Sequence, residues 1–294
     1  MAHLIRLGIV GSESTHAEVF SRLANGDEKT LPLFEGVRVV ALWGEPGKEE
    51  RTRQVAEKCR IPRIVSSPEE MLGEVDAVMV VLRRGSQHRQ YAAPFLKAGL
   101  AVYVDKPFAA TVSDCRAMIA LARQHGARLA TFSTIRFDEE VQRLRKELPE
   151  VGTLLTGFIA GKADPSSEYD GLLFYGIHKA ELLAELFGTE VTEVRAAETP
   201  GRITAVCRFS SGLMVTVAFL RDAGYQWVVA VVGSQASRTC TPGATASYIP
   251  AFGKFLEMVK TGTPILSEEQ MVTPVRVIDA VVRSLRTKKP VRLR

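Results

Sequence analysis

AVMVVLRRGSQHRQYAAPFLKAGLAVYVDKP, residues 77–107, decides the fold. Ala77–Leu82 is an unbroken apolar run. Such a run suits a strand covered on both faces, as in the middle of a parallel sheet. A helical pattern follows over His88–Ala98, and Gly99 stops it. Leu100–Val104 is a second apolar run. Strand, helix and strand in this order make a crossover unit that joins two parallel strands.

The same alternation extends on both sides. Upstream, Leu4–Val10 is a strand, Thr15–Ala24 a helix, Val37–Trp43 a strand and Glu49–Cys59 a helix. Ile64–Val65 is a short strand before a proline-started helical turn, Pro68–Leu72. Downstream, Ser113 caps a helix to Gln124, and Leu129–Phe132 is a strand. Strands alternating with crossover helices imply a doubly wound parallel sheet.

Beyond Phe132–Arg136 the pattern changes. A helix at Asp138–Leu148 is expected to join two domains. Leu154–Ala160, Val191–Ala197, Ile203–Phe209, Leu213–Leu220 and Trp227–Val232 are strands, with a hairpin signal at Ser210-Ser211-Gly212. Helical patterns cover Gly171–Phe187, Ala251–Lys260 and Thr273–Arg286, and Pro290–Leu293 suits a last strand. The expected fold class is α/β. Residues 1–134 form a Rossmann domain, and residues 135–294 an α+β domain with an open, mostly antiparallel sheet.

Composition narrows the function. The 294 residues are 46% hydrophobic and 24% charged, so a large core needs no disulfide or metal staple. The net charge of +5 owes much to Arg283, Arg286, Lys288, Lys289, Arg292 and Arg294. No nucleic-acid reading module accompanies that basic end, which suits solvent instead. Cys59, Cys115, Cys207 and Cys240 have no metal-ligand or paired spacing, so no metal site is expected. MAHLIRLGIV is too short and mixed for a signal peptide, and no run is long enough for a membrane span. A cytoplasmic location is expected.

Chemistry concentrates at strand ends. After the first strand stands Gly11-Ser12-Glu13-Ser14-Thr15-His16, where a dinucleotide fingerprint has three glycines. Only Gly11 remains, and Glu13 and His16 replace the others. Ser14 or Thr15 can cap the helix, whose amino end favours an anion. Glu45 is the acid available for ribose hydroxyls after the second strand, one residue later than usual. Lys48, Arg51 and Arg53 follow, so NAD and NADP stay equally open. Arg83 and Arg84 follow the AVMVVL strand, and Asp105-Lys106-Pro107 follows LAVYV. A lysine between a carboxylate and a proline is poised to stabilise a developing alkoxide. In FYGIHKAELLAELFG, His178, Glu181 and Glu185 share a polar helix face, while Ile177, Leu183 and Leu186 suit a core. Histidine suits proton transfer near neutrality.

These motifs, in this order, resemble the Gfo/Idh/MocA oxidoreductases. DKP matches the family's EKP, GIHKAE matches G-x-H-x-x-D, and FLKAGLAVYVDKP, TIRF and the carboxy-terminal segment are similar too. The resemblance implies hydride transfer between nicotinamide and a small hydroxylated or carbonyl substrate, such as a sugar or polyol. It implies Lys106 at the reacting oxygen and His178 as proton carrier. Gly11, Ser12, Ser14, Thr15, His16, Glu45, Arg83, His88, Asp105 and Lys106 are then expected around NAD or NADP. A homodimer or homotetramer through the second domain's sheet is implied, with no nucleic-acid or membrane partner. The departures are the lost glycines and Phe174, where the family often has an aspartate one turn before the histidine. They leave two alternatives: a non-catalytic ligand- or partner-binding relative, or an enzyme using bound NAD for transient oxidation.

Overall fold

The computed structural model describes residues 4–27, 29–243 and 247–293. The first half of the chain runs β1 (Ile5–Val10), α1 (Thr15–Asn25), β2 (Val37–Trp43), α2 (Glu49–Lys58), β3 (Arg63–Ile64) and β4 (Ala77–Val80). It continues through α3 (Gly85–Lys97), β5 (Ala101–Val104), α4 (Val112–His125) and β6 (Arg128–Thr131). The second half runs α5 (Glu139–Glu147), β7 (Leu154–Lys162), α6 (Leu173–Phe187), β8 (Val191–Thr199), β9 (Arg202–Phe209) and β10 (Met214–Leu220). It ends with β11 (Trp227–Gly233), β12 (Ser237–Cys240), α7 (Tyr248–Thr261), α8 (Glu268–Thr287) and β13 (Val291–Arg292). Two compact units result. One comprises Met1–Ala109, Ser113–Thr131 and Ala251–Leu266; the other comprises Ala110–Val112, Phe132–Pro250 and Ser267–Arg294.

The first unit holds a six-stranded sheet in the order β3-β2-β1-β4-β5-β6, parallel throughout. The strand order reverses between β1 and β4, and ligands of such sheets bind beyond the strands' carboxyl ends at that point. Every residue of β4 and β5 is buried, as their apolar runs require. β4 is shorter than Ala77–Leu82 because Val81 leaves the regular ladder, although its N–H still reaches Val10 O at 2.8 Å. α3 starts at Gly85, earlier than expected, where a Cβ would stand 2.8 Å from Pro107 Cγ. On α1, Phe20 stacks on Phe252 of α7 with centroids 5.7 Å apart. Buried Asn25 donates to Val39 O and Cys59 O and accepts from Val39 N–H, so its polar atoms tie α1 to its neighbours at no desolvation loss. The four cysteines are buried and unbonded to each other. Burial pushes the Cys115 thiol up to about 12, which leaves it a poor nucleophile.

The second unit holds a seven-stranded sheet, β12-β11-β7-β10-β9-β8-β13. β10 and β7 run parallel, and all other neighbours run antiparallel. The expected hairpin joins β9 to β10, with Gly212 at φ +88°, a value glycine adopts without strain. The terminal strand, β13, pairs with β8, whereas β12 carried no clear pattern in sequence. α6 packs against β7 and α8, and α8 packs against β8, which covers one face of the sheet. The opposite face leaves Phe158 (39%), Val228 (43%), Val232 (37%) and Met214 (48%) exposed in the single chain. α8 begins at Glu268 instead of Thr273, behind a reciprocal cap between Ser267 and Gln270. Pro274 lies inside the helix, where it cannot donate to Gln270 O. Arg136 supplies that carbonyl with a guanidinium N–H at 3.3 Å instead.

At the basic end, Arg283 pairs with Asp279 and Lys288 with Glu198; Arg294 lies outside the described residues, as do Met1–His3. Among the described residues no helix is long and apolar enough to cross a membrane.

Candidate functional site

The first unit places Gly11 directly after β1 at φ +106°, where a Cβ would meet Leu82 N and Val81 C at 3.1 and 3.2 Å. The first glycine of the fingerprint therefore survives for a steric reason. Fully buried Ser12 donates its N–H to the Glu45 carboxylate at 2.8 Å, and its hydroxyl lies 2.9 Å from that of Thr52. The Glu13 N–H approaches the same carboxylate at 3.4 Å. Glu45 reaches the loop despite its late position because Gly44 precedes it. A Cβ on Gly44 would collide with the Ser12 and Thr52 hydroxyls. The Glu13 side chain turns to Lys48 at 2.6 Å. Ser14 caps α1 by accepting the His16 N–H at 3.2 Å, and Thr15 is exposed on the first turn. Close backbone approach at Gly11, an acid fixed beside the loop and a diverted Glu13 together fit a dinucleotide.

His16 is engaged within the protein. Its side chain does not stand free for the cofactor: Nδ1 lies 2.6 Å from Asp105 Oδ2, and both groups are buried. The histidine at the third glycine position therefore joins the start of α1 to the DKP loop by a side-chain contact. Asp105 Oδ1 accepts the Lys106 N–H at 2.7 Å and the Tyr103 hydroxyl at 3.1 Å, and Lys106 Nζ lies 4.0 Å from Oδ2. Burial would raise the Asp105 carboxyl; the positive groups of His16 and Lys106 outweigh it and hold the carboxyl below its ordinary range. Asp105 is itself fully buried, so its carboxylate meets only protein groups.

His88 is also engaged within the protein. It is fully buried, with Nδ1 2.8 Å from Pro107 O and Nε2 2.9 Å from Leu82 O. It braces the DKP loop against the end of β4. Burial lowers its proton affinity, against the pull of the backbone oxygens and Asp105. Arg83 stands partly exposed after β4, and Arg84 is the residue before α3.

His178 belongs to the second unit, on α6. Its Nδ1 lies 2.7 Å from the hydroxyl of Ser133, which is fully buried. The rings of Tyr175 and Trp227 flank it at 5.8 and 5.4 Å between centroids. The expected polar face of α6 is not solvated. Glu181 and Glu185 are buried against Arg136, which pairs with Glu181 and lies 2.7 Å from Glu185. A helical pattern marks which side chains share a face, and it cannot tell a solvated face from one opposite a buried cation. Burial raises the Glu181 carboxyl, and Arg136 pulls it back. Lys179, unremarked in sequence, is fully buried, with Nζ 2.7 Å from Lys162 O. Burial brings its pKa down to about 7. Ser133, Arg136 and Lys179 carry no motif of their own; TIRF, next to a strand end, was the available signal for the first two.

A doubly wound nucleotide-binding unit with a lysine poised at a strand end, followed by an open-sheet unit bearing a clamped histidine, defines a class of Rossmann oxidoreductases. Residues 5–133 match the oxidoreductase family model GFO_IDH_MocA, described by its NAD-binding Rossmann fold. Over those residues the chain is similar to the Gfo/Idh/MocA oxidoreductases. Its similarity to inositol 2-dehydrogenase of Acidothermus cellulolyticus is 28% identity over 227 residues, 74% of this chain and 64% of that protein. Similarity to mouse trans-1,2-dihydrobenzene-1,2-diol dehydrogenase is 28% over 58% of this chain and 53% of that one. The matches thus span about half to two thirds of those relatives. In fold, the chain is similar to a probable dehydrogenase from Thermotoga maritima, at TM-score 0.84, 21% identity and 98% coverage of both chains. It is also similar to a Lactobacillus casei scyllo-inositol dehydrogenase solved with NAD(H) and scyllo-inositol, at TM-score 0.83 and 13% identity, covering 98% of this chain and 99% of that one.

Proposed function

We propose that this protein is a nicotinamide-dependent dehydrogenase or reductase of small hydroxylated or carbonyl compounds, of the sugar, polyol or cyclic diol type. The observation that carries the proposal is the buried cradle of Asp105, His16 and Tyr103 that fixes Lys106 at the carboxyl end of β5. A bound nicotinamide dinucleotide supplies the hydride acceptor or donor. Gly11, Ser12, Ser14 and Thr15 line its diphosphate loop, with Arg83 nearby. Lys106 holds the substrate oxygen by an ammonium hydrogen bond that strengthens as negative charge develops there. His178 takes the hydroxyl proton in oxidation and returns it in reduction. The named substrates of the relatives, inositols and a dihydrodiol, support a ring bearing vicinal hydroxyls.

Glu45 favours NAD over NADP. Its carboxylate accepts ribose hydroxyls and repels a 2′-phosphate. The cations that could reverse this are committed: Lys48 to Glu13, Arg51 to Glu18 and Arg53 to Glu50. Titration of the purified protein with NADH and NADPH by fluorescence is expected to show tighter NADH binding, followed by NAD-linked turnover in a panel of sugars, cyclic polyols and diols. Binding of neither nucleotide to folded protein would overturn the reading. Glu13 offers the non-catalytic alternative no support, since it turns to Lys48.

The second unit's open face supports self-association. Phe158 is flanked by Ala230 on β11 and Thr216 on β10, with Val228, Val232 and Met214 around them, an apolar centre of the kind homodimers bury. Light scattering should show a dimer or tetramer that Phe158→Asp converts to monomer; a monomeric wild-type chain at micromolar concentration would refute this. Buried, reduced thiols accord with a cytoplasmic setting.

A further inference from the structure

Ser133 lies two residues past β6, its side chain touches His178, and its neighbours hold its hydroxyl in place. It caps the short helical turn Thr134–Phe137 by accepting the Ile135 N–H at 3.4 Å. Its own backbone N–H donates to Glu181. The same turn carries Arg136, fully buried and tied to Glu181, Glu185 and Gln270 O. Glu181 lies on α6 three residues after His178, so one turn of helix presents both the histidine and the anchor of its partner. The Ser133 Oγ is thereby fixed 2.7 Å from His178 Nδ1.

Chemistry gives this contact a direction. For His178 to accept a proton on Nε2, its neutral ring must carry hydrogen on Nδ1, and Nδ1–H needs an acceptor. Ser133 Oγ is that acceptor. One turn earlier on α6 stands Phe174, which has no polar atom and packs its ring 4.7 Å from Tyr175 and 4.8 Å from Tyr169. Tyr175 and Trp227 confine the imidazole edgewise, so orientation comes from packing and tautomer from the hydroxyl.

We propose that Ser133 is a positioning residue, which selects the Nδ1–H tautomer of His178 and so leaves Nε2 as the proton-accepting atom. The inference rests on the dehydrogenase reading above for its consequence, and on the Ser133–His178 geometry for its substance. No covalent step is added: the hydroxyl proton of the substrate moves to Nε2, and Ser133 keeps its own hydrogen throughout.

The test has two readouts. The chain has only five histidines, so imidazole nitrogens in 15N-histidine-labelled protein can be assigned by comparison with His178→Asn. Wild-type His178 is expected as the Nδ1–H tautomer when neutral. Ser133→Ala is expected to shift it toward Nε2–H and to lower kcat about 10- to 100-fold, with KM for the dinucleotide unchanged. Ser133→Thr, which keeps the hydroxyl, should restore most of both. An unchanged tautomer in Ser133→Ala, or unchanged kcat despite a changed tautomer, would overturn the proposal. A wild-type protein that turns over no substrate would instead sink the dehydrogenase reading, and the nitrogen spectrum would still decide the Ser133 assignment by itself.

Discussion

Lys106→Met is expected to lower kcat/KM about 10²- to 10³-fold while NADH affinity stays within about threefold. Methionine is similar in length and suits a side chain that is 8% exposed, so packing is nearly conserved and the ammonium alone is lost. The cradle survives the change. Asp105 keeps its contacts with His16, the Tyr103 hydroxyl and the residue-106 backbone N–H, and so stays a satisfied buried carboxylate. Lys106→Arg is expected to recover little, because a planar guanidinium cannot occupy the volume or direction of a compact ammonium. Steady-state kinetics with the best substrate of the panel, beside fluorescence titration of NADH, separates the two effects. Turnover within fivefold of wild type in Lys106→Met would remove the lysine from the reaction. A loss confined to NADH binding would move it from chemistry to cofactor contact.

That prediction exposes what the sequence could and could not convey. The parallel sheet was legible because burial on both faces forbids polar residues, and AVMVVL and LAVYV have none of the ladder-breaking kind. Lys106 was legible because a charge directly after such a strand has a strand end to sit on. Its support was not. His16 and Asp105 are far apart in the chain, and nothing local to either announces an ion pair at 2.6 Å. The lost glycines therefore looked like damage to the loop, while the structure shows a replacement bond made with another loop. His88 was placed near the cofactor only by the resemblance, and nothing local announced that its two ring nitrogens would serve backbone carbonyls. Glu45 was found but seemed misplaced by one residue. Gly44 removes the side chain that would hold it away.

Arg136 was the largest omission, and its substitution should have the largest effect on stability. Within the second unit it is fully buried, bonded to Glu181 and Glu185 and to the carbonyl that Pro274 leaves open. Arg145 and Gln142 contribute to Glu185 from outside, at 3.0 and 3.3 Å. Arg136→Met would leave Glu181 without its cation and Glu185 with Arg145 as its remaining one, in a medium that solvates carboxylates poorly. The expected cost is about 3–5 kcal/mol, the usual penalty for breaking a buried pair from one side. The penalty should come from the stranded acids more than from the lost attraction, and two controls check this. Arg136→Met combined with Glu181→Met and Glu185→Leu should recover most of the loss, since a matched apolar replacement leaves no charge behind. Acidification should also recover part of it in the single variant. Without Arg136, burial dominates at the Glu181 carboxyl and raises it above its unfolded value, so the folded state binds more protons than the unfolded state in that window, and stability rises as pH falls through it. Urea unfolding of the three proteins, followed as a function of pH, measures both. A single variant as stable as wild type at neutral pH would show that Arg136 does not hold the acids, and would weaken the account of how Glu181 fixes Ser133 beneath His178.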